Sequence, residues 1–243
     1  MSLLEKYVLR MREGLYFAAV QGEGVLLDLV EDRYWGFYEL STVIWKELLK
    51  DSDRAVILAE LIKQHGLSVE EAEEALNSQL ESWQESGLLL PANETSPDEL
   101  SSKAPGSPTA TMIQEHETQG LSLVALWQLW RARNWATKQI KRHPPNRLLS
   151  GLIDETPFQA HMWTSTRKII GAYRTLRRLF FRKDDCLMRT LTMTRALRDT
   201  GVPSDICFGV KKIPFQAHAW VEIDGRSVDR SEDLTPFTVV ARF

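Results

Sequence analysis

A proline-rich stretch divides this chain of 243 residues and limits what each part of it can fold into. Residues 91–120 hold four prolines among Ser, Thr and acidic residues. Such a composition is typical of an extended, flexible linker rather than of a helix or a central strand. The remaining parts are long enough for a domain each, and a hydrophobic content of 43% provides for real cores. The sequence therefore predicts two domains, residues 1–90 and 121–243, joined by residues 91–120.

The two predicted domains carry opposite charge. Residues 1–100 contain 8 Lys and Arg against 20 Asp and Glu, a net charge of −12, whereas residues 127–183 contain 13 against 2, a net charge of +11. Helical spacing over residues 121–140 and 158–181 places the basic residues on amphipathic helices. These basic faces are either solvated or a docking surface for an acidic partner, and the sequence leaves both open.

The first domain has a mixed pattern that predicts an α+β, winged-helix-like fold. Three short apolar runs come first and three segments with helical spacing follow, at residues 15–20, 25–30 and 33–38, then 42–50, 53–65 and 68–86. Ser41 is a suitable N-cap for the first helix, and Ser68 with Glu71 forms a capping box for the third.

A charge of −12 argues against nucleic acid as the ligand of this domain, because non-specific affinity comes from Lys and Arg at phosphates. A small sheet with an exposed edge can instead take up a peptide as an added strand lying against the last helix. The alternative is that its aromatic residues are simply core and rim. The peptide-binding prediction rests on side chains of the third strand and the last helix, namely Tyr34, Trp35, Phe37, Leu76, Leu80 and Trp83.

One cysteine of the second domain stands at the start of a predicted helix. Cys186 follows Asp184 and Asp185, and the helical pattern continues to Gly201. A helix N-terminus favours a thiolate, although the two aspartates oppose it, so activation must depend on a histidine. The alternative for Cys186 is an inert buried thiol. Cys207 lies in an apolar strand, where packing in the core is expected.

A hairpin supplies the histidine and a carboxylate. Residues 216–224 alternate apolar and polar, and Asp224-Gly225 is a strong two-residue turn signal. Counting across that turn puts Asp229 on the face of His218 and diagonal to it, with Asp233 as the second diagonal neighbour. Cys186, His218 and Asp229 are therefore the predicted nucleophile, base and orienting acid, with Asp233 in reserve.

No cofactor or metal site is predicted, because CxxC spacing is absent and the five histidines are scattered. The N-terminal residues lack an apolar core of signal-peptide length, and no run is long enough to span a membrane. With only two cysteines, a disulfide is not expected, and we expect a cytoplasmic protein that does not act at a membrane.

The segment CLMRTLTMTRALRDTGVPSDICFGVKKIPFQAHAWVEIDG resembles the leader peptidases, or B proteins, of lasso-peptide biosynthesis, which belong to the transglutaminase-like cysteine protease superfamily with its papain-like fold. The shared features are a Cys-Leu that opens a helix, a GVP turn, and HAWVE followed by DG. Residues 1–90 are similar to the peptide-recognition element of modified-peptide pathways, a relative of the carrier protein of pyrroloquinoline quinone biosynthesis.

The resemblance implies that the first domain binds the leader of a ribosomally made precursor peptide. The second domain would then cut the leader from the core, and a separate ATP-dependent synthetase would close the macrolactam. Cys186 carries over as nucleophile and His218 as base. In the family pattern the acid often lies one residue further along, where this chain has Arg230. The assignment of Asp229 as the acid therefore rests on counting residues across the hairpin. A leader-binding adaptor without catalysis and a transglutaminase-like acyl transferase are the alternatives.

Overall fold

The structure is a computed structural model that describes residues 9–91, 122–150, 163–181, 186–229 and 233–243. The chain divides into two compact units, Met1–Leu100 and Ser101–Phe243. Apart from Pro91, the predicted linker at 91–120 lies outside the described residues.

The first unit contains five strands and three helices within the described residues. They are β1 (Leu9–Met11), β2 (Leu15–Val20), β3 (Glu23–Asp28), β4 (Arg33–Phe37), α1 (Glu39–Leu49), α2 (Arg54–His65), α3 (Val69–Glu85) and β5 (Leu89–Pro91). The predicted α+β arrangement of a three-stranded antiparallel sheet, β2-β3-β4, followed by three helices is confirmed. The short strands β1 and β5 were not predicted. They come before and after this arrangement in the sequence, and they pair with each other.

Two predicted boundaries of this unit are corrected. Strand β3 starts at Glu23 rather than Val25, because Gln21 and Gly22 alone form the turn, both with positive φ (51° and 88°). Helix α1 starts at Glu39 rather than Thr42, so Ser41 is not its N-cap; the Ser41 hydroxyl donates to Gln79 Oε1 at 2.6 Å instead. The capping box of Ser68 and Glu71 at the start of α3 is present as predicted.

The core of the first unit is an aromatic cluster between sheet and helices. Phe37 of β4 lies with its ring centroid 5.2 Å from that of Trp45 and 5.3 Å from that of Trp83, and the two indoles are 4.8 Å apart. Leu76 and Leu80 of α3 are buried in the same cluster. The helical spacing of α3 therefore marks the stripe that packs against the sheet.

The second unit has four helices and four strands within the described residues. They are α4 (Leu123–Arg142), α5 (Pro145–Ser150), α6 (Trp163–Phe180), α7 (Cys186–Arg198), β6 (Asp205–Lys211), β7 (Gln216–Ile223), β8 (Arg226–Ser227) and β9 (Thr238–Arg242). The strands form one antiparallel sheet in the order β8-β7-β6-β9. Apolar side chains of α4, α6 and α7 share a core with Val221, Ile223 and Val228 of the β7–β8 hairpin.

The predicted hairpin register is observed as far as Val228. Asp224 and Gly225 form the turn with φ of 48° and 72°, Ile223 pairs with Arg226, and the Val228 N–H donates to the Val221 carbonyl at 3.0 Å. The ladder ends there, because the Asp229 N–H turns to the Ser227 hydroxyl at 3.2 Å. The end of this hairpin is the place where the predicted acid leaves the sheet.

Candidate active site

Cys186 is the first residue of α7 and is half-buried. The first N–H groups of a helix have no partner within it, so they present a partial positive charge to a sulfur at this position. The backbone of Leu187 does form a hydrogen bond with the Cys186 sulfur. The predicted opposing aspartates, Asp184 and Asp185, lie outside the described residues.

The surroundings of Cys186 favour its thiolate. Burial raises the pKa of the thiol, but hydrogen bonds from the His218 side chain and from the backbone of Ala219 and Leu187, together with the charge of His218, lower it further than burial raises it. The net result is a pKa below the ordinary value for cysteine. The sequence had predicted that activation depends on a histidine, and His218 is the side chain that contacts the sulfur.

His218 lies in β7 directly opposite Gly209 of β6. Its ring is stacked on Trp220, with centroids 6.0 Å apart and planes inclined by 15°, and its other aromatic neighbour is Phe237 at 5.6 Å. These contacts fix the ring between two aromatic side chains while the imidazole reaches Cys186.

The two predicted acids differ in their surroundings. Asp229 lines the same cavity as His218, whereas Asp233 is exposed and accepts a hydrogen bond of 3.0 Å from the Thr235 N–H. Hydrogen bonds from the hydroxyl and N–H of Thr235 lower the pKa of Asp233. Asp233 is therefore occupied in a local turn, and Asp229 is the carboxylate that shares a cavity with His218.

Helix α6 holds Asp229 through contacts that the sequence did not reveal. Arg177 Nη1 lies 2.9 Å and 3.0 Å from the two carboxylate oxygens, and the Tyr173 hydroxyl is 3.5 Å from one of them. Arg174 donates twice to the Val228 carbonyl, at 2.8 Å and 3.0 Å. The basic positions of this helix had been assigned to solvent or to an acidic partner; two of them instead bind the end of the hairpin.

One further charged residue of the cavity was missed. Arg189 is buried and lines the cavity with His218 and Asp229. It stands three positions after Cys186 in α7, so the two residues lie on neighbouring positions of one helix face. That spacing is the signal that could have identified it.

Cys207 is the other thiol, and its environment is the reverse of that of Cys186. Burial, reinforced by the negative charge of Glu222, raises its pKa well above the ordinary value. It is fully buried beside Trp220, Leu234 and Val239. The predicted role of Cys207 in core packing is confirmed.

The predicted peptide-binding residues of the first unit fall into two groups. Tyr34 and Trp35 of β4 are half-buried, on a strand whose second edge is unpaired in the described sheet. The other four are buried in the core stripe between β4 and α3: Phe37, Leu76, Leu80 and Trp83. A peptide added to β4 would therefore meet Tyr34 and Trp35.

Among the described residues, no group of three or more His, Cys, Asp or Glu side chains is arranged to hold a metal ion. None of the helices that the structure describes has the length and apolar character needed to cross a membrane.

Comparison with known families identifies both units. Residues 23–89 match the family described as coenzyme PQQ synthesis protein D (PqqD), and residues 159–242 match the transglutaminase-like superfamily. The chain therefore carries a PqqD-like domain followed by a transglutaminase-like domain. These are the two families to which the sequence motifs had pointed, and no curated protein matches the chain.

Two solved structures match about a third of the chain. One is TbiB1 in complex with the TbiA(beta) leader peptide, with 21% identity and a TM-score of 0.31 over 33% of this chain and 93% of that one. The other is lasso peptide synthetase B1 complexed with the leader peptide, with 25% identity and a TM-score of 0.32 over 35% of this chain and 99% of that one.

Proposed function

We propose that this protein is a leader peptidase of lasso-peptide maturation. Its PqqD domain binds the leader of a precursor peptide, and its transglutaminase-like domain hydrolyses the bond between leader and core. The observation that carries the proposal is the hydrogen-bonded pair of Cys186 and His218 in a transglutaminase-like domain, with a lowered thiol pKa. A PqqD domain on the same chain supplies a means of holding the substrate.

The proposed reaction follows from the side chains at the helix N-terminus. The Cys186 thiolate attacks the scissile carbonyl carbon, and the tetrahedral oxyanion develops beside the first amides of α7. Protonated His218 gives its proton to the leaving amine of the core. Neutral His218 then takes a proton from water, which hydrolyses the thioester and releases the leader as a carboxylate. Asp229 orients the imidazole throughout.

The leader would bind at the edge of β4 that faces away from β3. Main-chain hydrogen bonds of an added strand give affinity irrespective of sequence, and side chains beside the edge give selectivity. Tyr34 and Trp35 are positioned to do so, and the Arg33 guanidinium lies 5.1 Å from the Trp35 ring. The freed core amine is the nucleophile that a partner ATP-dependent synthetase needs for macrolactam closure.

The test uses full-length protein and a synthetic precursor peptide encoded beside its gene. We expect wild-type protein to cut one bond, and Cys186→Ala to show no cleavage while binding the leader with unchanged affinity by fluorescence anisotropy. Cys207→Ala is the matched control and should cleave normally. Cleavage by Cys186→Ala would refute the proposal.

Mass spectrometry of the product separates the alternatives. A free leader carboxylate indicates hydrolysis, whereas a leader joined to an added amine indicates acyl transfer by the same thioester. Leader binding without cleavage, even with the partner synthetase present, would instead support an adaptor.

A further inference from the structure

A network of buried polar side chains lies beside His218. Glu222 is 0% exposed, yet it carries a carboxylate into the sheet. One of its oxygens accepts the indole N–H of Trp220 at 2.8 Å, and the other lies 3.0 Å from Arg242 Nη2. Burying a carboxylate without such partners costs free energy. The contacts among the three side chains are therefore needed together in the folded protein.

This network of side chains ends at the ring of His218. The Trp220 indole is held by Glu222 at its N–H, and its ring plane is inclined by only 15° to the imidazole. The negative face of an aromatic ring attracts a cation. A neighbouring indole that is stacked on the imidazole therefore favours the protonated imidazole over the neutral one.

Gly209 leaves the space that the indole occupies. It pairs with His218 across the ladder, and a Cβ at this position would lie 2.6 Å from the Trp220 ring. Any larger residue would clash with the indole in its present position and displace it. The glycine of β6 and the carboxylate of β7 thus fix the same ring from two sides.

We propose that Trp220, fixed by Glu222 and accommodated by Gly209, is a positioning residue that holds the His218 ring in place and stabilises its protonated form. The proposal rests on the proposed function, in which protonated His218 is the partner of the Cys186 thiolate and the acid for the leaving amine. Trp220 acts through His218 and has no role in bond making.

Other charged or titratable groups also face His218. Cys186 and Arg189 come from α7, and Asp229 follows β8. Lys211 of β6 lies 5.8 Å from the centre of the Phe237 ring that touches the imidazole. Since substitutions at Trp220 leave these groups in place, the test compares such variants in a Cys186→Ser background, where thiol and imidazole no longer titrate as a coupled pair.

The experiment is an NMR titration of full-length protein with ¹³C-labelled histidine, in which the His218 signal is assigned by its loss in His218→Gln. We expect Trp220→Leu to lower the titration midpoint of His218 by about half to one pH unit, because the ring face is gone. Trp220→Phe keeps a ring face but loses the hydrogen bond to Glu222, so its midpoint should fall by less.

Phe208→Leu is the matched control. Phe208 lies in the adjacent strand opposite Ala219, and its ring packs 6.1 Å from Phe243 rather than on the imidazole. We expect its His218 midpoint to equal that of the parent. If the His218 midpoint fell equally in Phe208→Leu, a general loss of packing would explain the effect, and the proposal would be overturned.

An unchanged midpoint in folded Trp220→Leu would also overturn it. Should that variant fail to fold, Trp220→Phe and Gly209→Ala decide instead, since both disturb the indole while keeping an aromatic ring, and an unchanged midpoint in both rejects the proposal. No peptide is cleaved in this experiment, so a negative result leaves the peptidase proposal standing. Failure of peptide cleavage likewise leaves this titration interpretable.

Discussion

At the scale of single residues, the two cysteines show how the surroundings of a thiol determine its pKa and therefore its reactivity. Cys186 at a helix start is hydrogen-bonded by His218 and has a lowered pKa, whereas burial and the charge of Glu222 raise the pKa of Cys207. Reactivity of a thiol depends on its thiolate, so only the first should react near neutral pH.

We therefore expect iodoacetamide to alkylate Cys186 with a midpoint below the roughly 8.5 of an ordinary thiol. The thiolate fraction rises with pH, so a lowered pKa moves the rate profile to lower pH. In His218→Ala the midpoint should move up, because the hydrogen bond and charge that lower it are gone. Peptide mapping after alkylation measures each cysteine separately, and fast labelling of folded Cys207 would contradict the assignment.

Loss of the base should cost nearly as much activity as loss of the nucleophile. We expect His218→Ala to reduce kcat for precursor cleavage by about 10³-fold or more, since general acid–base catalysis contributes up to about 10⁴. Single-turnover kinetics measures it. A His218→Ala variant that retains most of its activity would show that the helix N-terminus alone activates Cys186.

The two aspartates allow a matched comparison. Asp229→Asn should lower kcat by between about 10²- and 10⁴-fold, because an amide cannot stabilise the imidazolium. Asp233→Asn removes only a surface charge, because the amide oxygen can still accept from the Thr235 N–H, and it should leave kcat within twofold or so. Steady-state kinetics of both variants decides, and the reverse order would assign the acid to Asp233.

At the scale of elements, local sequence signals predicted local structure, but they did not predict contacts between segments that are far apart in the sequence. Asp224-Gly225 sets the hairpin, and its register held because turn geometry fixes it. Helical spacing in α3 identified the helix but not which partner its stripe meets; Leu76 and Trp83 face the core rather than a peptide. Arg242 and Arg177 come from other elements, so no local pattern around Glu222 or Asp229 could reveal their ion pairs.

The three-stranded sheet of the first unit has two edge strands, β2 and β4, and the proposal assigns the leader to β4. We expect saturating leader peptide to slow amide hydrogen exchange in residues 33–37, since an added strand takes up the free edge. Residues 15–20 of β2 serve as the internal control and should exchange as before. Exchange mass spectrometry resolves the two strands, and protection confined to β2 would move the site to the opposite edge.

At the scale of the whole molecule, recognition and chemistry are assigned to separate compact units, Met1–Leu100 and Ser101–Phe243, of opposite charge. Cys186, His218 and Asp229 all belong to the second unit, and the PqqD match lies wholly in the first. Joining a binding module to a catalytic one raises the local concentration of substrate at the catalytic site without changing the chemistry there.

Removal of residues 1–100 should therefore raise KM for the full precursor by about 10²-fold or more while kcat changes little, because the lost contacts bind ground state and transition state equally. Michaelis–Menten analysis of precursor cleavage by the full chain and by residues 101–243 measures both constants, with circular dichroism to verify that the shortened protein is folded. A short peptide that spans the cut but lacks the leader is the control, and both proteins should cleave it with the same kcat/KM. If kcat for the precursor fell with KM unchanged, the first unit would be acting on the catalytic residues rather than on the leader.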